Sequence, residues 1–221
     1  MPIKQLLQQK IQLGVAFTLS LGVLLAIAPQ AMAHHPFGGR TPGNLLEGIV
    51  SGVGHPIIGL DHLAFVVASG LLATGLAFGI FIPVGFVLGT IAGTVIHLLA
   101  VDLPAVEVVI ATSVVAFGAL LAMGYKQDNG SSSLNLGLAA LGAIAGVFHG
   151  YAYGETVVGA EMTPIVAYLT GFATTQLMIA LGALLFGKII QKKGPTLPIM
   201  RFLGLAIAAI GMVFLSSSFG A

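Results

Sequence analysis

From about position 40 onward the chain alternates long apolar runs with short polar or Pro/Gly-rich breaks. Each run approaches the roughly 20 residues that span a bilayer as a helix. The pattern predicts an all-α membrane protein built as a compact bundle of six transmembrane helices. The predicted spans run from about Pro56 to Phe78, Phe81 to Val101, Ala105 to Tyr125, Leu134 to Tyr151, Pro164 to Lys188 and Ile199 to Phe219. A polar loop, Lys126 to Ser133, separates the third and fourth, and Pro195 and Pro198 punctuate the last connection. Glycines recur every four positions in two spans, at Gly85, Gly89 and Gly93 and at Gly142, Gly146, Gly150 and Gly154. Small residues at that spacing let helix backbones approach closely in lipid, either inside one bundle or between copies in a homo-oligomer.

The segment before residue 34 has a different grammar. Lys4 and Lys10 are followed by an apolar stretch from Ile11 to Ile27, then Pro29 and the A-x-A site Ala31-Met32-Ala33. This predicts a cleavable signal peptide over 1–33 and a membrane domain over 34–221 with His34 at its start. The apolar length would also permit a retained first helix. With the mature N-terminus outside, Lys126, Lys188, Lys192, Lys193 and Arg201 fall inside and only Arg40 outside, as the positive-inside bias requires. Glu47, Asp102, Glu107, Glu155 and Glu161 then gather near the outer face and Asp128 alone lies inside.

Composition narrows the function classes. The 221 residues are 57% hydrophobic and only 7% charged, with mean hydropathy +1.06, whereas soluble domains carry about 25% charged residues. The net charge of +1 says nothing about partners, and no basic cluster suggests nucleic acid. There is no cysteine, which removes thiolate ligands and counts against Cu(I) and Fe–S sites, leaving His, Asp, Glu and Met as donors. No GxxxxGK[ST] motif is present, so ATP is not bound in the P-loop manner.

The run HPIIGLDHLAF, His55 to Phe65, puts two histidines and an aspartate at the head of an apolar stretch. A carboxylate near a helix centre costs about 2.5–3.5 kcal/mol on insertion scales, so such residues mark function. Imidazole and carboxylate are ligands for a borderline divalent metal such as nickel, cobalt or zinc. On a regular helix His55 and His62 share a face two turns apart, with Asp61 about 100° from His62. Joint ligation therefore needs an irregular helix start, which Gly54, Pro56 and Gly59 favour. Asp61 could bind the ion or orient a histidine; the plainer alternative is a histidine cap with a buried Asp–His bond.

A second constellation, FHGYAYGE from Phe148 to Glu155, closes the fourth span. His149 and Tyr153 share a helical face, and Glu155 follows two residues later. These imply that His149 and Glu155 join the first trio at one depth, with Tyr153 nearby. His97 is a weaker candidate, as ligand, relay or core histidine. His34 and His35 would form an outer capture site if cleavage frees the amine.

Together HPIIGLDHLAF, a mature start of HHPFGG and FHGYAYGE resemble the HupE/UreJ family of nickel/cobalt permeases over essentially the whole mature chain. The resemblance implies a bacterial inner-membrane protein with a periplasmic N-terminus. It implies Ni2+ or Co2+ as transported substrate, no organic cofactor and no enzymatic activity. Such permeases are ATP-independent and supply nickel to hydrogenase or urease, or cobalt for cobalamin. The first motif carries the role to His55, Asp61 and His62. The second commonly reads FHGxAHGxE and carries it to His149 and Glu155, with Tyr153 where a second histidine is frequent. Two alternatives stand beside transport: an intramembrane metal-dependent hydrolase, for which no HExxH is present, and a non-transporting accessory membrane subunit.

Overall fold

A computed structural model describes residues 40–124, 132–192 and 197–219. The signal segment, His34, His35, Lys126, Asp128 and Lys193 lie outside the described residues. All regular structure among the described residues is helical. The elements are α1 (Leu45–Ile58), α2 (Leu60–Ala73), α3 (Phe81–Leu98), α4 (Val106–Ala122), α5 (Ser132–Gly154), a 3-10 turn (Glu155–Val157), α6 (Met162–Lys192) and α7 (Leu197–Ser218). Helices α3, α5, α6 and α7 are each long and apolar enough to cross a bilayer, and the bent pair α1–α2 qualifies as a fifth span. Helix α4 is apolar but has 17 residues. Leu88, Met178 and Leu185 stand exposed on the helix exteriors, as expected where lipid rather than water is the solvent.

The first predicted span differs from the observed one. It begins at Leu45 rather than Pro56, because Asn44 caps the helix: its side chain accepts from Glu47 N at 2.9 Å, and Glu47 Oε2 accepts from Gly43 N at 2.9 Å. Pro56 is absorbed in the last turn of α1, and the break falls at Gly59, where α1 and α2 meet at 77°. A Cβ on Gly59 would lie 2.6 Å from His62 Cδ2, so the bend leaves room for glycine only. The expected irregular start is therefore real but lies one turn later.

Glycines set the helix pairing. A Cβ on Gly89, Gly93, Gly146 or Gly150 would run into the carbonyl oxygen of Ala143, Val147, Phe86 or Thr90 respectively. These contacts advance in step along α3 and α5, so the two helices are parallel. Gly48 meets Pro164, Gly52 meets Tyr168, Gly70 meets Ala180, and Gly187 meets Thr74, so α1 and α2 together run parallel to α6. Gly118 meets Ala208 while Gly204 meets Ala122 and Gly211 meets Val115, which makes α4 and α7 antiparallel. The Gly-rich faces predicted to serve either the bundle or a homo-oligomer are covered within one chain. Between the pairs sits an aromatic core in which Phe65 lies 4.5 Å, centroid to centroid, from both Phe86 and Phe117.

Replacing Gly93 with valine should lower the melting temperature in detergent, at a cost of about 1–3 kcal/mol for overpacking. Gly182→Ala, where a Cβ meets nothing within 4 Å, should be neutral or slightly stabilising because alanine favours helix. Equal melting of the two variants would contradict the packing described.

Candidate functional site

The break at Gly59 ends α1 just after His55 and opens α2 with Asp61 and His62. On an unbroken helix seven residues would separate the two histidines by about 10.5 Å of rise; the bend brings their ring centroids to 5.7 Å. Asp61 stands in the first turn of α2, where the positive helix end favours a carboxylate. Its Oδ1 accepts the His62 backbone N–H at 2.8 Å and lies 4.0 Å from His62 Nδ1. The buried Asp–His bond of the plainer alternative is thus present, made to the His62 backbone. All three side chains are buried.

Helix α5 closes the cluster. His149 is fully buried, and its Nδ1 lies 2.8 Å from His62 Nδ1. On its far side His149 Nε2 meets Ser113 Oγ of α4 at 3.1 Å. Ser113 has one proton, and its shorter contact is with Ile110 O at 2.7 Å. With that hydroxyl donating to Ile110 O, Ser113 accepts from His149 Nε2–H, and His149 Nδ1 is left as a lone pair aimed at His62. His55 is held in the same way: its Nδ1 contacts Tyr168 OH at 2.8 Å and Thr156 Oγ1 at 3.1 Å, while Tyr168 OH donates to Tyr153 O at 3.0 Å. Tyr153 places its ring edge-on to both His55 and His62, 4.5 Å from each. Phe65 and Phe86 close over His149 at 4.9 and 5.3 Å.

The structure thus brings His55, Asp61, His62, His149 and Tyr153 together. Among the described residues, however, no three His, Asp or Glu side chains converge as a ready-made metal cage. Glu155 does not join the cluster. It is exposed, and with Glu107 and Tyr151 it lines a cavity of about 350 Å³ at the same end of the bundle. Glu107 is near enough to Asp61 and Glu155 to feel both charges. Counted along FHGxAHGxE, the closing glutamate falls at position 156, so Glu155 is one residue early. Thr156 occupies that position here, buried and on His55. His97 is also apart: its ring packs at 4.4 Å on Tyr151, which points about 200° round α5 from His149.

Sequence reasoning missed Ser113, Thr156, Tyr168, Thr90 and Gln176, all on or near the cluster. Each is a polar residue in or next to an apolar helix, which was the available signal. No sequence spacing linked them to the histidines, because they come from α4, the 3-10 turn, α6 and α3.

Ser113→Ala should destabilise the bundle by about 1–3 kcal/mol by leaving His149 Nε2 without its acceptor, and Ser113→Thr should restore most of the loss. Thermal melts of the three proteins check this; identical melts would remove Ser113 from the His149 network.

Comparison with known proteins agrees over most of the chain. The model of the family described as HupE / UreJ protein matches residues 22–214. Protein HupE of Rhizobium leguminosarum bv. viciae is 32% identical over 200 residues, covering 87% of this chain and 94% of that protein. No solved structure matches. The chain belongs to the HupE / UreJ family of membrane proteins, which are associated with nickel and cobalt transport and are not enzymes.

Proposed function

We propose that this protein is a secondary, ATP-independent permease carrying Ni2+ or Co2+ from periplasm to cytoplasm across the bacterial inner membrane. The observation that carries the proposal is the 2.8 Å approach of His62 Nδ1 and His149 Nδ1 in the buried core. Metal–nitrogen bonds of about 2.1 Å set at right angles separate two ligand nitrogens by about 3.0 Å. The pair thus sits near the edge length of a coordination shell, bridged by a proton when no ion is bound. The Ser113 acceptor keeps the His149 proton on the far nitrogen, the arrangement by which outer partners orient ligating histidines. Asp61 would supply charge beside the pair, and His55 a further imidazole. Such exchangeable ligands, without thiolates, suit a site that must release its ion.

Six crossings are part of this reading, one more than the five that length and apolarity allow, because the 17-residue α4 is counted as well. The pair α1–α2 counts as one, followed by α3, the short α4, α5, α6 and α7. Alternating crossings require the first and fifth to be parallel, the second and fourth to be parallel, and the third and sixth to be opposed. The glycine contacts follow those directions. Among the described residues, Asp102, Glu107, Glu155 and Glu161 cluster at the end where α5 closes and α6 begins, and Lys188, Lys192 and Arg201 at the other. With the basic end cytoplasmic, Glu107 and Glu155 form an acidic mouth on the capture side, where negative potential concentrates cations. After cleavage of 1–33, His34 and His35 would add an outer capture point.

Proteoliposomes containing wild-type protein should show saturable uptake of radioactive Ni2+ or Co2+, each ion competing with the other. His62→Ala and His149→Ala should reduce uptake by at least about tenfold, as loss of a nitrogen ligand implies. Wild-type rates in both variants would sink this assignment.

A further inference from the structure

One hydroxyl, that of Tyr168, ties α6 to α1 and α5 at the site. The residue is fully buried. A Cβ on Gly52 would run into the Tyr168 carbonyl oxygen, so α6 touches the α1 backbone just before His55. The Tyr168 hydroxyl lies 2.8 Å from His55 Nδ1 and 3.0 Å from the Tyr153 carbonyl oxygen. Thr156 Oγ1 meets the same His55 nitrogen at 3.1 Å. A carbonyl oxygen only accepts, so the bond to Tyr153 O takes the single Tyr168 proton. The Tyr168 oxygen is then an acceptor toward His55, and the 2.8 Å contact is a hydrogen bond only if Nδ1 carries the imidazole proton. Were Tyr168 to donate to Nδ1 instead, its oxygen would face the Tyr153 carbonyl at 3.0 Å with no proton between them. The first arrangement satisfies both contacts. A neutral imidazole has one N–H, so His55 Nε2 is then the unprotonated nitrogen.

We propose that Tyr168 is a positioning residue of the metal site: it holds His55 as the Nδ1–H tautomer, so that His55 ligates through Nε2. His149 carries its proton on the opposite nitrogen, Nε2, where Ser113 accepts it, and presents Nδ1. The two imidazoles thus enter the site by different atoms, each selected by a hydroxyl on a neighbouring helix. Outer partners of ligating histidines fix ring angle and tautomer in this way. Thr156 is a second acceptor for the same N–H at the longer distance. Tyr168 is not itself a ligand, because both of its hydrogen bonds face the protein. This inference rests on the transport reading above and gives α6, outside both sequence motifs, a part in how well His55 binds.

The test compares the full-length wild type with Tyr168→Phe, which removes one oxygen. In detergent, nitrogen NMR of isotopically labelled histidine reads which ring nitrogen of His55 is protonated, with His55→Asn providing the assignment. Wild type should carry the proton on Nδ1, and Tyr168→Phe should show a mixture of tautomers, since the Thr156 hydroxyl can accept or donate. In proteoliposomes the substitution should raise the KM for uptake by about 5-fold, the value of one lost neutral hydrogen bond. Maximal rate should change little, and the visible absorption of bound Co2+, which reports ligand geometry, should shift. A wild-type proton on Nε2 would overturn the proposal, as would an unchanged KM or a loss confined to maximal rate. If Tyr168→Phe fails to fold, the wild-type tautomer alone decides. Wild-type protein with neither uptake nor a Co2+ band would overturn the transport reading, and this inference with it, whichever tautomer is found.

Discussion

A helix that breaks within an apolar bundle is the constraint from which the site follows. Lipid offers no partners for backbone groups, so non-helical backbone at membrane depth persists only where protein surrounds it. Here the 77° bend at Gly59 is enclosed by α6, which tracks both α1 and α2, and by α5 with its histidine. The bend converts a seven-residue separation into neighbouring rings 5.7 Å apart. It also sets the negative end of α1 beside His55 and the positive end of α2 beside Asp61, a favourable field for each. A larger residue at position 59 would meet His62 itself, so the backbone device and the chemistry share one small volume.

Every imidazole drawn into that volume must be satisfied by something other than water. Ser113 on α4, Tyr168 on α6 and Thr156 in the 3-10 turn provide the partners. The cost of burying the polar groups is thereby spread over all the elements around the cluster. The same distribution makes the site sensitive to helix movement, because each histidine takes its bearings from a different neighbour. Close glycine packing of α3 on α5 keeps Phe86 in fixed register against His149.

Much of this was legible in the sequence, and the limits are instructive. The two motifs identified His55, Asp61, His62 and His149, because ionisable groups in apolar runs stand out. Gly54, Pro56 and Gly59 signalled an irregular start, although Pro56 proved compatible with the last turn and Gly59 took the break. The capped helix from Leu45 was missed because its apolar run was judged to begin at Pro56, while the Asn44–Glu47 box that starts it is polar. Glu155 looked equivalent to His149 by proximity in sequence. The chain leaves α-helical geometry at Gly154, so the next residue turns outward and Thr156 turns in. Partners such as Tyr168 and Ser113 lie in other helices, and only three-dimensional packing joins them to the motif.

The depth of the cluster bears on how an ion would move. His55, His62 and His149 are 3%, 2% and 0% exposed. Phe65, which stacks with Phe86 and packs at a tilt against Phe117, lies directly against His149. A cation held between these histidines would be shut off from water, and stacked aromatic rings would oppose its onward movement. Passage then requires the packing around His149 to change.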